Sequence, residues 1–193
     1  MTSRRTAPRP RPLWVSASLI MVSMAAAALL LLWATPHSSA ATFTVTKTAD
    51  TADGTCDADC SLREAITAAN SLADADVIDV PAGTYTLSIP GAFDNSNATG
   101  DLDIGSGLTL NGAGSANTII DGGALDRVFD IGQFFVSDSS FHATISGVTV
   151  RNGSASFGGA GITSGGGATV TVTTTLTNST VSGNSGVGIS VSS

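Results

Sequence analysis

The sequence predicts an all-β fold, a parallel β-solenoid with one short amphipathic helix at its N-terminal end. Three observations predict it. Short β-branched runs fall at residues 77–80, 84–89, 108–110, 118–120, 143–145, 148–150 and 169–176, each bounded by Gly, Asn, Asp or Ser, the pattern of strands separated by tight turns. The pattern also repeats. Ile145-Ser-Gly-Val-Thr-Val150 followed by Arg-Asn-Gly returns as Leu176-Thr-Asn-Ser-Thr-Val181 followed by Ser-Gly-Asn at an offset of 31, and Gly161-Ile162 returns as Gly188-Ile189 at an offset of 27. Finally, a single helical pattern precedes the strands, where a solenoid's open hydrophobic end needs a cover. An antiparallel sandwich also has many short strands, but it needs no such helix.

Residues 1–40 differ in kind from the rest of the 193-residue chain. They hold Arg4, Arg5, Arg9 and Arg11 and no acidic residue, followed by an almost wholly apolar stretch at 13–34 and then Ser38-Ser39-Ala40. A basic start, an apolar core and small residues at the cleavage position form an export signal. This predicts cleavage after Ala40. The apolar stretch is also long enough to span a bilayer, so an uncleaved N-terminal anchor is the alternative and the one route by which the chain would engage a membrane. Either way the remainder is extracytoplasmic, secreted or at the cell surface. Past residue 40 only Lys47, Arg63, Arg127 and Arg151 oppose fifteen acids, a net charge of −11. Such a surface repels phosphate backbones and excludes nucleic acid as a partner.

Residues 41–76 read as an N-terminal cap. In an oxidising compartment an even number of cysteines predicts a disulfide, here Cys56 with Cys60 across Asp57-Ala58-Asp59. A metal site is the weaker reading, because two cysteines with no nearby histidine make half a tetrahedral zinc site. Ser61-Leu62-Arg63-Glu64 is a capping box: the Ser61 hydroxyl accepts from the amide three residues on, and Glu64 reaches back to the Ser61 amide. Leu62, Ala65, Ile66 and Ala69 then form one apolar stripe over a helix at 61–71, with Arg63 and Glu64 expected on a solvated face. Residues 77–193 leave room for roughly four or five coils of such a repeat. The last of them ends in a Gly/Ser/Val run with no charged cap, so a C-terminal truncation is expected.

The run Cys56-Asp-Ala-Asp-Cys60-Ser-Leu-Arg-Glu-Ala-Ile66, with Val77-Ile-Asp-Val-Pro-Ala-Gly-Thr-Tyr85 and Thr118-Ile-Ile-Asp-Gly-Gly123, resembles the CSLREA-domain family of bacterial exported proteins. Ser146-Gly-Val-Thr-Val-Arg-Asn-Gly153 resembles that family's repeats in the right-handed parallel β-helix, or pectin-lyase-like, superfamily. The resemblance implies a secreted or surface protein whose N-terminal helix caps a right-handed helix of strands.

Candidate chemistry is sparse. Polysaccharide lyases of that superfamily use a basic residue to take a proton beside a uronate carboxylate, and the candidates here are Arg127 and Arg151. Ion pairing with Asp126 and Asp130, and exposure at an Asn-Gly turn, explain the two better than catalysis does. A hydrolase needs converging carboxylates, whereas the acids here fall in segments that read as turns. His142 has no evident partner ligand. For calcium, Asp50, Asp53, Asp57 and Asp59 crowd one loop and Asp94, Asp101 and Asp103 another, the oxygen-rich pattern that hard cation selects, though Asp also favours turns for local reasons. The leading expectation is a non-enzymatic surface module that contacts glycans or other cell-surface proteins, and the alternative is a lyase or hydrolase. Arg127 or Arg151 set beside two or more of Asp101, Asp103, Asp121 and Asp130 in one groove would favour the enzyme.

Overall fold

Each strand lies parallel to the strand one repeat away, and this pairing is what the offsets in the sequence encode. Leu176 stands on Ile145 and Val181 on Val150, while Ile189 stands on Ile162. The structure, a computed structural model, describes residues 39–132, 140–166 and 170–192, all within the unit Ser38–Ser193. The export signal or anchor expected at 1–40 therefore lies almost entirely outside the described residues.

The chain winds through about four coils with three strands each. They are β2 (Asp76–Val80), β3 (Gly83–Thr86) and β4 (Leu102–Ile104); β5 (Leu108–Gly112), β6 (Thr118–Asp121) and β7 (Phe129–Ile131); β8 (Phe141–Ser146), β9 (Thr149–Arg151) and β10 (Ile162–Gly165); and β11 (Val172–Thr177), β12 (Thr180–Val181) and β13 (Ile189–Ser192). A leading strand, β1 (Thr42–Thr44), joins the first coil. Three parallel sheets result, ordered β1-β2-β5-β8-β11, β3-β6-β9-β12 and β4-β7-β10-β13. The fold is the β-solenoid that the repeats predict.

The core is a set of stacks, because alternate residues of every strand point inward. Ile78, Leu110 and Ile145 form one stack, Ile120 and Val150 a second, and Leu102, Phe129 and Ile162 a third, all buried. Full burial of each such side chain is worth roughly 1.5–3 kcal/mol. The corner after β8 requires a left-handed residue. Gly147 takes φ 67° there, and a Cβ on it would meet the Gly112 carbonyl oxygen at 2.7 Å. One coil later Asn178 takes that conformation with φ 49°, which asparagine tolerates better than most residues.

Helix α1 (Leu62–Asn70) begins where the capping box places it. The Ser61 hydroxyl accepts from the Glu64 amide at 3.2 Å, and Glu64 accepts from the Ser61 amide at 2.7 Å. Leu62, Ala65, Ile66 and Ala69 are buried, and the helix packs on β1, β2 and β4 at the N-terminal end of the stack. Among the described residues no helix is long and apolar enough to cross a membrane. Cys56 and Cys60 are disulfide-bonded, and Thr46 pairs with Cys60 through backbone and hydroxyl bonds of 2.8 Å.

Arg63 and Glu64 are not on a solvated face; each is 1% exposed. Two long segments, one before the helix and one between β3 and β4, close over them. Arg63 makes a two-pronged ion pair with Asp50 at 2.7 and 3.1 Å and donates to the carbonyls of Asp101 at 2.7 Å and Gly100 at 2.8 Å. Burial opposes the charge on Glu64. Bonds from the Ser61 amide, the Thr51 hydroxyl and the Asp53 amide overcome that opposition and hold its carboxyl down at about 2.

Candidate functional site

Two strands of the third sheet carry the same three-residue pattern, apolar–Asp–Ile. These are Leu102-Asp103-Ile104 in β4 and Phe129-Asp130-Ile131 in β7, paired so that Asp103 lies beside Asp130. Leucine, phenylalanine and isoleucine turn inward to the core, so the aspartates take the outer face. That face is not open to solvent here. Residues 88–101 fold across it, and Asn97, at φ 59°, meets Asp103 in a reciprocal pair: its amide donates to Oδ2 at 2.8 Å while its Oδ1 accepts from the Asp103 amide at 3.0 Å. The Asn97 side-chain amide donates to the Arg63 carbonyl at 2.8 Å, which ties the insertion to α1.

Asp101 completes a cluster. One oxygen from each of Asp101, Asp103 and Asp130 can lie within 4.8 Å of the others, and the three residues are 3%, 0% and 3% exposed. Arg127 enters beside them, with Nη1 3.0 Å from Asp130, Nε 3.3 Å from Asp101 and Nε 3.8 Å from Asp126. Three carboxyl groups thus face one guanidinium, with Asp103 beside them. Burial, and then the neighbouring acids Asp103 and Asp126, push the Asp101 carboxyl up to about 8 against the pull of Arg127. Asp103 is raised to about 7, chiefly by burial and then by Asp130, although the Asn97 amide opposes the shift. Beside the cluster is a pocket of about 180 Å³ bordered by residues 93–95 with Asp101, Asp126, Arg127 and Asp130, so that Asp94 lines it too.

Such a set can share protons or hold a hard cation. Asp101 Oδ1 and Asp103 Oδ1 are buried without a hydrogen-bond partner, and an all-carboxylate donor set is what calcium or magnesium selects. The residues therefore fit a divalent cation that would offset the surplus negative charge, with Asp101, Asp103 and Asp130 as its holders.

The calcium residues expected from sequence are redistributed. Asp101 and Asp103 are in the cluster: Asp103 is in β4 and not in a turn, while Asp101 sits at the bend just before it. Asp94 instead caps its own loop, accepting from the amides of Ser96, Ala98 and Thr99, and the bonds from this loop hold its carboxyl low despite burial. Asp50, Asp53, Asp57 and Asp59 do not converge. Asp50 is clamped by Arg63 and also accepts from the Ser88 amide; Asp53 accepts from Thr55, Asp57 from the Asp59 amide, and Asp59 pairs with Lys47 at 3.1 Å.

Arg127, expected at an ion-paired turn, is ion-paired but only 9% exposed. Arg151 is exposed at a strand end and pairs with Asp121 at 2.9 Å. Burial opposes the charge on Asp121, but bonds from Asn152, the Gly123 amide and then Arg151 lower its carboxyl. His142 is exposed on β8 with the hydroxyls of Thr144 and Thr175 at 3.1 and 3.2 Å.

No family model, curated protein or solved structure matches this chain. The cluster is thus read from its own chemistry. Sequence reasoning grouped Asp130 with Asp101 and Asp103 only as a condition for an enzyme groove and left it out of the candidate calcium set, although a signal for its pairing with Asp103 existed: Asp101-Leu-Asp-Ile-Gly105 and Val128-Phe-Asp-Ile-Gly132 recur at the same offset of 27 as Gly161-Ile162 and Gly188-Ile189.

Proposed function

We propose that this chain is an exported surface or secreted module, a non-enzymatic β-solenoid whose outer faces serve adhesion, glycan contact or cell-surface structure. The observation that carries this reading is the commitment of both candidate catalytic cations. Arg127 is enclosed by three carboxylates and Arg151 is paired with Asp121, so neither presents a free charge to a substrate. The pocket beside Arg127, at about 180 Å³, is smaller than the ~300–1,000 Å³ of ordinary ligand sites. By contrast, the outer face of the five-stranded sheet is a nearly uncharged array. Thr109, Thr144 and Thr175 form one row across it, and Asn111, Ser146 and Thr177 another, spaced at the ~4.8 Å of neighbouring strands. The export signal at 1–40, the disulfide and the resemblance to CSLREA-domain proteins support the surface location.

The test is retention of the secreted protein on a panel of insoluble and immobilised polysaccharides. Replacing Thr144 and Thr175 by glutamate would abolish retention if this face is the contact surface. Unchanged retention of that variant would refute the assignment.

A second reading, a pectin-lyase-like lyase or hydrolase, is favoured by one specific observation. Arg127 does stand beside Asp101 and Asp130, and Asp101 is a carboxyl whose raised proton affinity suits a general acid. It requires the insertion at 88–101 to leave the cluster, since the acids are buried beneath it.

A further inference from the structure

We infer that hydrolysis of the Ala40–Ala41 bond is a maturation step that completes a buried ion pair between the new α-ammonium of Ala41 and the carboxylate of Asp76. The inference rests on the export reading above, and goes beyond it to assign the cut bond a structural consequence. Asp76 opens β2 and is 0% exposed. Its Oδ1 accepts from the backbone nitrogen of Ala41 at 2.7 Å, while Oδ2 is buried with no hydrogen-bond partner. No lysine or arginine among the described residues pairs with it. In the uncut chain this carboxylate has one neutral N–H donor, an under-compensated arrangement for a buried charge.

The nitrogen it faces is the one that export processing would free. Ser38 and Ala40 are small residues at the third and first positions before the bond, the pattern a signal peptidase reads. Ser39 and Ala40 are exposed, whereas Ala41 is half-buried and already in place, its carbonyl accepting from the Val77 amide at 2.8 Å. Signal peptidase adds water across the Ala40–Ala41 amide: the C–N bond breaks, Ala40 leaves as a carboxylate on the leader, and the Ala41 nitrogen takes protons to become an ammonium. That nitrogen then carries a positive charge and three N–H donors, enough to serve both oxygens of Asp76. The pair would pin the start of β1 to β2 only in the processed chain.

The test uses the full chain, leader included, secreted by a bacterial host. The released protein is sequenced from its N-terminus and its thermal unfolding measured as wild type, as Asp76→Asn, with one glutamine, a residue the peptidase does not read at the first position, inserted after Ala40, and with both changes. The insertion moves the ammonium one residue away and returns Ala41 to a neutral amide. The expected result is an N-terminus at Ala41, a melting temperature lowered by about 5–10 °C by either change, and no further loss when they are combined. Should Asp76→Asn not accumulate, the insertion alone gives the reading. A released protein that begins elsewhere, or an insertion that leaves the melting temperature unchanged, overturns the inference while the export reading stands. Uncut chain held in the cell overturns both.

Discussion

Raising the pH from 5.5 to 8.5 in the presence of a chelator will destabilise this protein, and Asp103→Asn will remove part of that loss. The sign follows from linkage. The Asp103 carboxyl is pushed from its ordinary 3.8 up to about 7 in the folded chain, so between those values the folded state binds a proton that the unfolded state has released, and stability falls as pH rises through the window. From pH 5.5 the part of that window still to be crossed is about 1.5 pH units, and at about 1.4 kcal/mol each it amounts to about 2 kcal/mol by pH 8.5. For a chain of this size that is about 5 °C in melting temperature. Asp101, raised to about 8 by burial and by the same neighbours, extends the loss to higher pH. Asparagine at 103 keeps an acceptor for the Asn97 amide, which lies 2.8 Å from Oδ2, and carries no charge to repel Asp130. Differential scanning calorimetry at both pH values on wild type and variant reads the effect. A wild-type protein equally stable at pH 8.5 and 5.5, or an Asp103→Asn protein less stable than wild type at pH 8.5, would refute the reasoning.

Millimolar calcium should raise the wild-type melting temperature more at pH 8.5 than at 5.5, because the cation competes with protons for Asp101 and Asp103. Calorimetry should find that response gone in Asp103→Asn. Replacing Arg63 by alanine strands Asp50 and the Asp101 and Gly100 carbonyls, and urea unfolding should register a loss of about 3–5 kcal/mol, with lysine recovering part of it because it cannot make the two-pronged contact. Ser61→Ala removes the helix cap and should cost about 1 kcal/mol in the same assay. Reduction of Cys56–Cys60 opens a very short loop, so the expected loss is about 2 kcal/mol, measured by melting with and without reductant.

Local chemistry was legible in the sequence wherever a few adjacent residues determine it. The capping box at Ser61 and Glu64 needs only its own four residues, and the stacks of Ile145 on Leu176 and Val150 on Val181 were visible as a repeat. The third sheet was harder to read, because β4 and β7 are three residues long and each has an aspartate at its centre, which in isolation looks like a turn. The burial of Arg63 was not legible either. Its neighbours in sequence are ordinary helix residues, and what covers it includes Asn97, Gly100 and Asp101, more than thirty residues away along the chain. The acidic cluster belongs to the same class: stacking of coils, not adjacency, assembles it.

The measurement that bears most directly on the surface-module reading is a turnover assay run on the material used for retention. The secreted protein is incubated with polygalacturonate and other acidic and neutral polysaccharides, with calcium and with chelator, while unsaturated products are followed by absorbance and new reducing ends by colorimetry. Retention on at least one polysaccharide with neither product is the predicted result. Product that accumulates with the wild type and is lost in Asp101→Asn would contradict the account and place the acidic cluster in an active site.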